Sequence, residues 1–167
     1  MTTPRPNQLA RQLAKFSGLP DALRPGLVSF LLGNIVPMVG SARLRFEEVG
    51  TDCVVVTIRN RRRVQNHIKG VHAAAMALLA ETATGFCVGM NLPDDKLPLI
   101  KTLKVDYLKR AQGDMKAVAR LRPEQIQQIL TQEKGEVTVP VTITDESGQE
   151  PIACEMVWAW VPKQRKG

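Results

Sequence analysis

One long apolar stretch limits what this chain can fold into. Residues 71–90 read VHAAAMALLAETATGFCVGM and are rich in Ala, Leu and Met, which favour helices. The stretch is apolar on every side, and a helix of that kind belongs inside a protein or a membrane. Glu81 is its only acid. The fold must therefore pair this carboxylate, give it access to solvent, or raise its pKa and use it as a working acid or base.

The composition narrows the classes of protein to which the chain can belong. A length of 167 residues suits one domain with a sizeable core, and a hydrophobic content of 44% excludes wholesale disorder. The start has no secretory pattern, and Glu81 with its neighbouring threonines and glycines argues against a membrane span, so we expect a cytoplasmic protein without a membrane partner. The three cysteines, with no metal-binding spacing, are expected to be reduced and mostly buried.

The charge of the chain indicates either an anionic partner or simply a basic surface. The formal net charge is +7, and coenzyme A and nucleic acid are the two candidate partners. Nucleic acid is disfavoured because aromatic residues make up only 4% and there is no helix-turn-helix or zinc-finger signature. His67 and His72 lie five residues apart without a nearby cluster of Cys or acids, so no metal site is expected.

The hydrophobic periodicity predicts an antiparallel sheet with one helix buried against it, which is an α+β fold. Residues 1–40 form an N-terminal helical arm, residues 41–162 a single domain, and residues 163–167 a basic tail. Within the arm we expect a helix over 8–16 and an apolar segment over 27–39 that is helical up to a break at Pro37. The expected strands run from Ser41 to Glu47 and over 53–58, 101–109, 115–121, 137–144 and 152–161, with a short helix over 123–132.

The geometry of the central helix predicts that two chains build one site. Glu81 follows His72 by nine residues, which places it about half a turn away in azimuth and about 13 Å along the axis. The helix start and Glu81 therefore cannot easily face one compact site within a chain. A twofold axis could bring the helix start of one chain against Glu81 of another, and such dimers are the commonest oligomers.

The spacing of these polar residues resembles the hotdog-fold acyl-CoA thioesterase superfamily, in its phenylacetyl-CoA-thioesterase-like branch. That family has an Asn six residues before the His of a His-Gly-Gly turn and an acid nine residues after that His, and Asn66, His72 and Glu81 meet both spacings. The resemblance covers residues 41–162. The two glycines are replaced by Ala73 and Ala74, and the acid, usually Asp in the family, is a Glu here.

The resemblance implies a hotdog fold, with sites shared between two protomers in a homodimer or a dimer of dimers. It also implies hydrolysis of an acyl-CoA thioester, with coenzyme A as part of the substrate and no separate cofactor. Glu81 would attack the carbonyl or deprotonate water, and the Ala73 N–H, with Ala74 beside it, would bind the oxyanion. Asn66 would orient water or thioester, and His72 would either cap the helix or contact substrate.

Basic residues before the helix are candidates for holding the phosphates of coenzyme A. Arg61, Arg62 and Arg63 form either a phosphate clamp or a solvated strand edge, and Lys69 could assist them. Three further functions stay open: acyl-CoA binding or regulation without catalysis, a nucleic-acid-binding module, and a dehydratase. Trp158 and Trp160 share one face of the last strand and are expected to pack in the core or at a dimer interface.

Overall fold

The computed structural model describes residues 6–164, so most of the predicted basic tail lies outside the described residues. Five α-helices occur in this part of the chain. They are α1 (Gln8–Ala14), α2 (Arg24–Ile35), α3 (Pro37–Ala42), α4 (Ala73–Gly89) and α5 (Pro123–Thr131). The helix break predicted at Pro37 is confirmed, because α2 ends at Ile35 and Pro37 is the first residue of α3.

Within residues 6–164, seven strands form two antiparallel sheets that adjoin each other. They are β1 (Arg45–Val49), β2 (Cys53–Ile58), β3 (Lys96–Tyr107), β4 (Met115–Arg120), β5 (Gly135–Thr138), β6 (Val141–Asp145) and β7 (Ile152–Pro162). One sheet has the order β1-β2-β4-β6 and the other has the order β3-β7-β5. The sheets meet near β6 and β7, where the Val139 N–H donates to the Met156 carbonyl at 3.0 Å.

The central helix α4 packs against strands of both sheets, as the sequence predicted. Leu79, Ala80, Ala83 and Cys87 have no exposed surface. Gly85 faces the sheet where it carries Trp158, and a Cβ there would lie 2.6 Å from an indole carbon of that residue. Glycine therefore allows α4 to approach the strand closely. The large apolar area buried on α4 is the main stabilising contribution of this helix.

Three of the predicted strands are wrong in their boundaries. The strand predicted over 101–109 begins at Lys96, because residues 96–100 also pair with β7, on the other side of an irregularity between Ile100 and Thr102. Ser41 and Ala42 are the last residues of α3, and β1 begins only at Arg45, after Arg43 turns the chain with a left-handed φ of 54°. The predicted strand over 137–144 is two strands, β5 and β6, which belong to different sheets. Pro140 lies between them and has no N–H to donate to a sheet, which explains the interruption.

Residues before position 40 also contribute to the core. Val28, Leu32 and Val39 are buried in the same hydrophobic cluster as α4. The division of the chain at residue 40 stays a prediction. The three cysteines are free, and Cys53 and Cys87 are buried, in agreement with the sequence. Within residues 6–164, no helix has the length and apolar character needed to cross a membrane.

Candidate active site on the central helix

Glu81 lies midway along α4 on the wall of an apolar cavity of about 450 Å³. The cavity is open to solvent on one side and is bordered by α1, α4, the junction of α2 with α3, the start of β3 and the end of β7. Phe86, Leu92 and Trp158 give the wall around Glu81 its apolar character. Burial raises the pKa of the Glu81 carboxyl. Among residues 6–164 no basic group forms an ion pair with it, so the carboxylate is not neutralised by a structural partner.

Thr82 adds a second polar group to the same cavity. Its hydroxyl is buried and has no partner with good hydrogen-bond geometry in the part of the chain that the structure describes, but an interaction of its side chain with the Glu81 carboxyl opposes the rise in the Glu81 pKa. Thr84 differs, because it donates to the Ala80 carbonyl at 2.9 Å and accepts from the Trp158 indole N–H at 2.9 Å. Sequence reasoning missed Thr82. A threonine directly after the only acid of an apolar helix was the available signal.

The start of α4 presents one unused backbone donor. His72 is the N-cap residue, and its Nδ1 accepts from the Ala74 N–H at 3.0 Å. An imidazole that accepts at Nδ1 carries its proton on Nε2. Ala73, the first helical residue, is exposed, and its N–H has no hydrogen-bond partner within residues 6–164. The capping interpretation of His72 is therefore realised, and the Ala73 N–H is left available for a ligand.

Asn66 shapes the loop that leads into α4. Its Oδ1 accepts from the N–H groups of Ile68 at 3.1 Å and Gly70 at 3.0 Å. The Nδ2 group has no partner among the described residues and is available as a donor to a ligand. Lys69 adopts a left-handed φ of 60° in this loop and lines a separate small cavity beside Arg110. Lys69 is absent from the lining of a second, larger groove that contains Arg61 and Arg63, described below.

Tyr107 connects the start of α4 to the end of β3. Its hydroxyl donates to the Ala73 carbonyl at 2.8 Å, which fixes the first peptide groups of the helix. Burial is the main cause of a raised pKa for the Tyr107 phenol, which therefore stays a hydrogen-bond donor at neutral pH. The sequence placed Tyr107 only within the strand predicted over 101–109. Its contact with Ala73 depends on how β3 folds back along α4, which local sequence does not reveal.

The predicted site residues form separate groups within one chain. Asn66, His72 and Ala73 lie together at the start of α4, and none of them lines the cavity that contains Glu81. This separation agrees with the helix geometry. Arg61 and Arg63 line a different groove of about 770 Å³, together with Arg43, Arg45 and Arg59 from other segments. Arg62 does not line this groove. Among the described residues, no three His, Cys, Asp or Glu side chains form a group that could hold a metal.

Residues 24–161 match the family described as "Domain of unknown function (DUF4442)". The chain belongs to the DUF4442 family. The matched segment of this DUF4442 protein includes α2, the arginine groove, the loop around Asn66 and the whole of α4. A comparison with curated proteins found no match.

Solved structures show which fold this DUF4442 protein has. A Pseudomonas aeruginosa protein described as a probable thioesterase is 24% identical, with a TM-score of 0.74 over 83% of this chain and 95% of the other. A structural-genomics target without a stated activity or organism is 26% identical, with a TM-score of 0.72 over 93% and 99%. A thioesterase from Haemophilus influenzae is 14% identical, with a TM-score of 0.65 over 83% and 92%. These similarities confirm the hotdog fold predicted from the sequence.

Proposed function

We propose that this protein hydrolyses an acyl-CoA thioester to a free acid and coenzyme A. The observation that carries the proposal is Glu81, a carboxylate without an ion-pair partner among the described residues, whose pKa is raised by burial beside an apolar cavity. A raised pKa brings a carboxyl closer to the value at which a general base works best near neutral pH. Two of the solved structures with this fold are described as thioesterases, one of them as probable, which favours this chemistry over other uses of the carboxylate.

The reaction assigns one task to each group. Glu81 removes a proton from water, and the resulting hydroxide attacks the thioester carbonyl carbon. The charge that develops on the carbonyl oxygen is stabilised by the Ala73 N–H at the positive end of the α4 dipole. The C–S bond then breaks, and the thiolate takes the proton from Glu81. The Asn66 Nδ2 donor orients water or thioester, and the cavity that holds the Thr82 hydroxyl receives the acyl group.

A complete site requires two chains, because Glu81 and the Ala73 N–H of one chain do not share a cavity. The exposed apolar surface of β3 supports this arrangement. Ile100, Leu103 and Tyr107 lie opposite buried residues of β7, so they project to the same face of the sheet as the core. They are nevertheless 38%, 47% and 51% exposed. Within residues 6–164, β3 pairs with β7 on one side only, which leaves an edge for a second copy.

The proposal is tested by thiol release from a panel of acyl-CoA substrates that covers aliphatic and aromatic acyl groups. Glu81→Gln should retain the fold and lose about 10²–10⁴-fold in turnover, the usual contribution of a positioned general base. Glu133→Gln is the matched control, because Glu133 is exposed in the loop after α5 and should retain wild-type turnover. Absence of thiol release by the wild-type protein on every substrate would overturn hydrolysis. Tight acyl-CoA binding in that case would identify a binding protein. The methyl groups of Ala73 and Ala74, which crowd the approach of a thioester carbonyl, would be consistent with that outcome.

A further inference from the structure

A groove with an excess of positive charge lies apart from the Glu81 cavity. It runs between the α2–α3 junction and the strand ends at the start of β1 and the end of β2. The groove is lined by five arginines: Arg43, Arg45, Arg59, Arg61 and Arg63. No acidic residue lines it, and among residues 6–164 only one of the five forms an ion pair, the one between Arg45 and Glu47 at 2.9 Å. Such an accumulation of uncompensated guanidinium groups is suited to an anion with several charges.

The opposite wall of the groove contains several small residues. Gly33 of α2 and Gly40 of α3 are in close contact, since a Cβ on Gly40 would lie 2.5 Å from the Gly33 carbonyl oxygen. Gly26 also lines this wall, and a Cβ there would meet no atom within 4 Å. Phe30, which is 73% exposed, is the aromatic residue of the wall. An exposed aromatic ring among small residues, in the same groove as the arginines, suits a nucleotide, whose base can stack while its phosphates pair with guanidinium groups.

The groove is directly connected to the start of α4. Arg63 belongs to a short 3₁₀ helix that ends at Val64, and the Val64 carbonyl accepts from the His72 N–H at 2.8 Å. Arg63 also donates from Nη1 to the Ser41 carbonyl at 3.3 Å, which ties its guanidinium to the wall formed by α3. Arg63 is therefore tied both to the wall formed by α3 and, through Val64, to the residue before the free Ala73 N–H. The loop that follows Arg63 leads directly into the start of α4, the proposed site of thioester cleavage.

We infer that this groove binds the phosphates of the 3′-phosphoadenosine diphosphate part of coenzyme A and thereby makes the site selective for coenzyme A thioesters. The inference rests on the proposed function. It differs from the expectation drawn from the run Arg61, Arg62 and Arg63 alone, because Arg62 is outside the groove. Arg43 directly after α3, Arg45 in β1 and Arg59 directly after β2 complete the clamp instead. Arg59 and Arg61 are the best probes, since neither forms an ion pair with a described acid.

The first test is calorimetric binding of free coenzyme A. Hydrogen bonds between charged partners contribute enough that losing two arginines should weaken binding by roughly 100-fold or more. We therefore expect that loss for Arg59→Ala combined with Arg61→Ala, together with a weaker dependence of affinity on salt. Arg62→Ala is the matched control and should bind coenzyme A within about twofold of wild type. Equal weakening by Arg62→Ala, or wild-type affinity of the double variant, would overturn the inference.

The second test separates this inference from the proposed hydrolysis. The same acyl group is offered on coenzyme A and on N-acetylcysteamine, a thiol that lacks the nucleotide, and the ratio of the two kcat/KM values is measured. The double variant should lower this ratio at least about tenfold, whereas a parallel fall on both substrates would assign the arginines to folding or catalysis. Arginine-dependent coenzyme A binding without any thiol release would support the groove and reject hydrolysis. Arginine-dependent binding of a mixed-sequence single-stranded oligonucleotide, without coenzyme A binding, would overturn the inference.

Discussion

Replacing Ala73 with proline separates the chemistry of the α4 start from its stability. Ala73 is the first helical residue, where proline is tolerated because the N–H has no partner within the helix. The residue before a proline must be extended, and His72 already has a ψ of 143°. The Ala73 N–H makes no hydrogen bond to residues 6–164, so the substitution removes no contact found in that range. The change therefore deletes one donor and leaves the helix intact.

The expected effects on stability and on rate are of different size. A proline compatible with the native backbone stabilises a protein by about 0.4–1 kcal/mol, so the Tm should stay constant or rise by a few degrees. Losing an oxyanion donor costs about 10²–10³ in kcat, or about 2.7–4 kcal/mol. The assay is thiol release under saturating acyl-CoA, with a thermal melt of the same sample. Ala73→Gly is the control, because it retains the N–H and should retain turnover.

The same variant also tests whether two chains share each site. Glu81→Gln and Ala73→Pro chains are each expected to be inactive. When they are unfolded together and refolded as a mixture, mixed dimers would contain one site with both wild-type groups. Random pairing in a twofold dimer should then restore about a quarter of wild-type activity. A folded Ala73→Pro protein with turnover within about twofold of wild type would refute the donor assignment, and a mixture without recovered activity would refute the shared site.

Three further predictions follow from the burial and contacts of single residues. Leu103→Lys places a charge on the exposed apolar face of β3, so sedimentation at micromolar concentration should detect monomers. The control Lys104→Ala lies on the opposite face and should leave the sedimenting mass of the protein unchanged. Thr82→Val removes a buried hydroxyl without a partner in the described chain, so it should raise the free energy of unfolding by about 1 kcal/mol while weakening catalysis. Thr84→Val loses two hydrogen bonds and should lower the free energy of unfolding by about 1–3 kcal/mol. Chemical denaturation measures both changes. Burial raises the folded-state pKa of Glu81 above its unfolded value of about 4.3. The wild type should therefore lose stability relative to Glu81→Gln as the pH rises above about 4.3. Above the folded-state pKa, the difference in unfolding free energy between the two proteins should level off. A difference in unfolding free energy that stays constant with pH would contradict this effect of burial.

The hydrophobic pattern by itself determined the core of the fold. A stretch of 20 residues that is apolar on every side can only be a buried helix here, and residues 73–89 form it. The β-branched run over 53–58 predicted β2, and the alternation of apolar and polar residues over 101–109 predicted most of β3, because a strand with one buried face has a period of two. The fixed geometry of an α-helix also separates Glu81 from the helix start, because nine residues of spacing determine both the rise and the azimuth.

Contacts between residues distant in sequence determined the strand boundaries, the lining of the groove and the hydrogen-bond partners, which the hydrophobic pattern could not predict. The start of β1 and the interruption at Pro140 depend on which sheet each segment joins, so local alternation over-extended both strands. The arginine groove combines residues from α3, β1 and the end of β2, whereas sequence reasoning could group only neighbours and therefore included Arg62. The Tyr107 contact with Ala73 and the unpaired hydroxyl of Thr82 likewise exist only in the packed chain. Residue types and spacing along one element are encoded locally, but cavities and hydrogen-bond partners arise where separate elements meet.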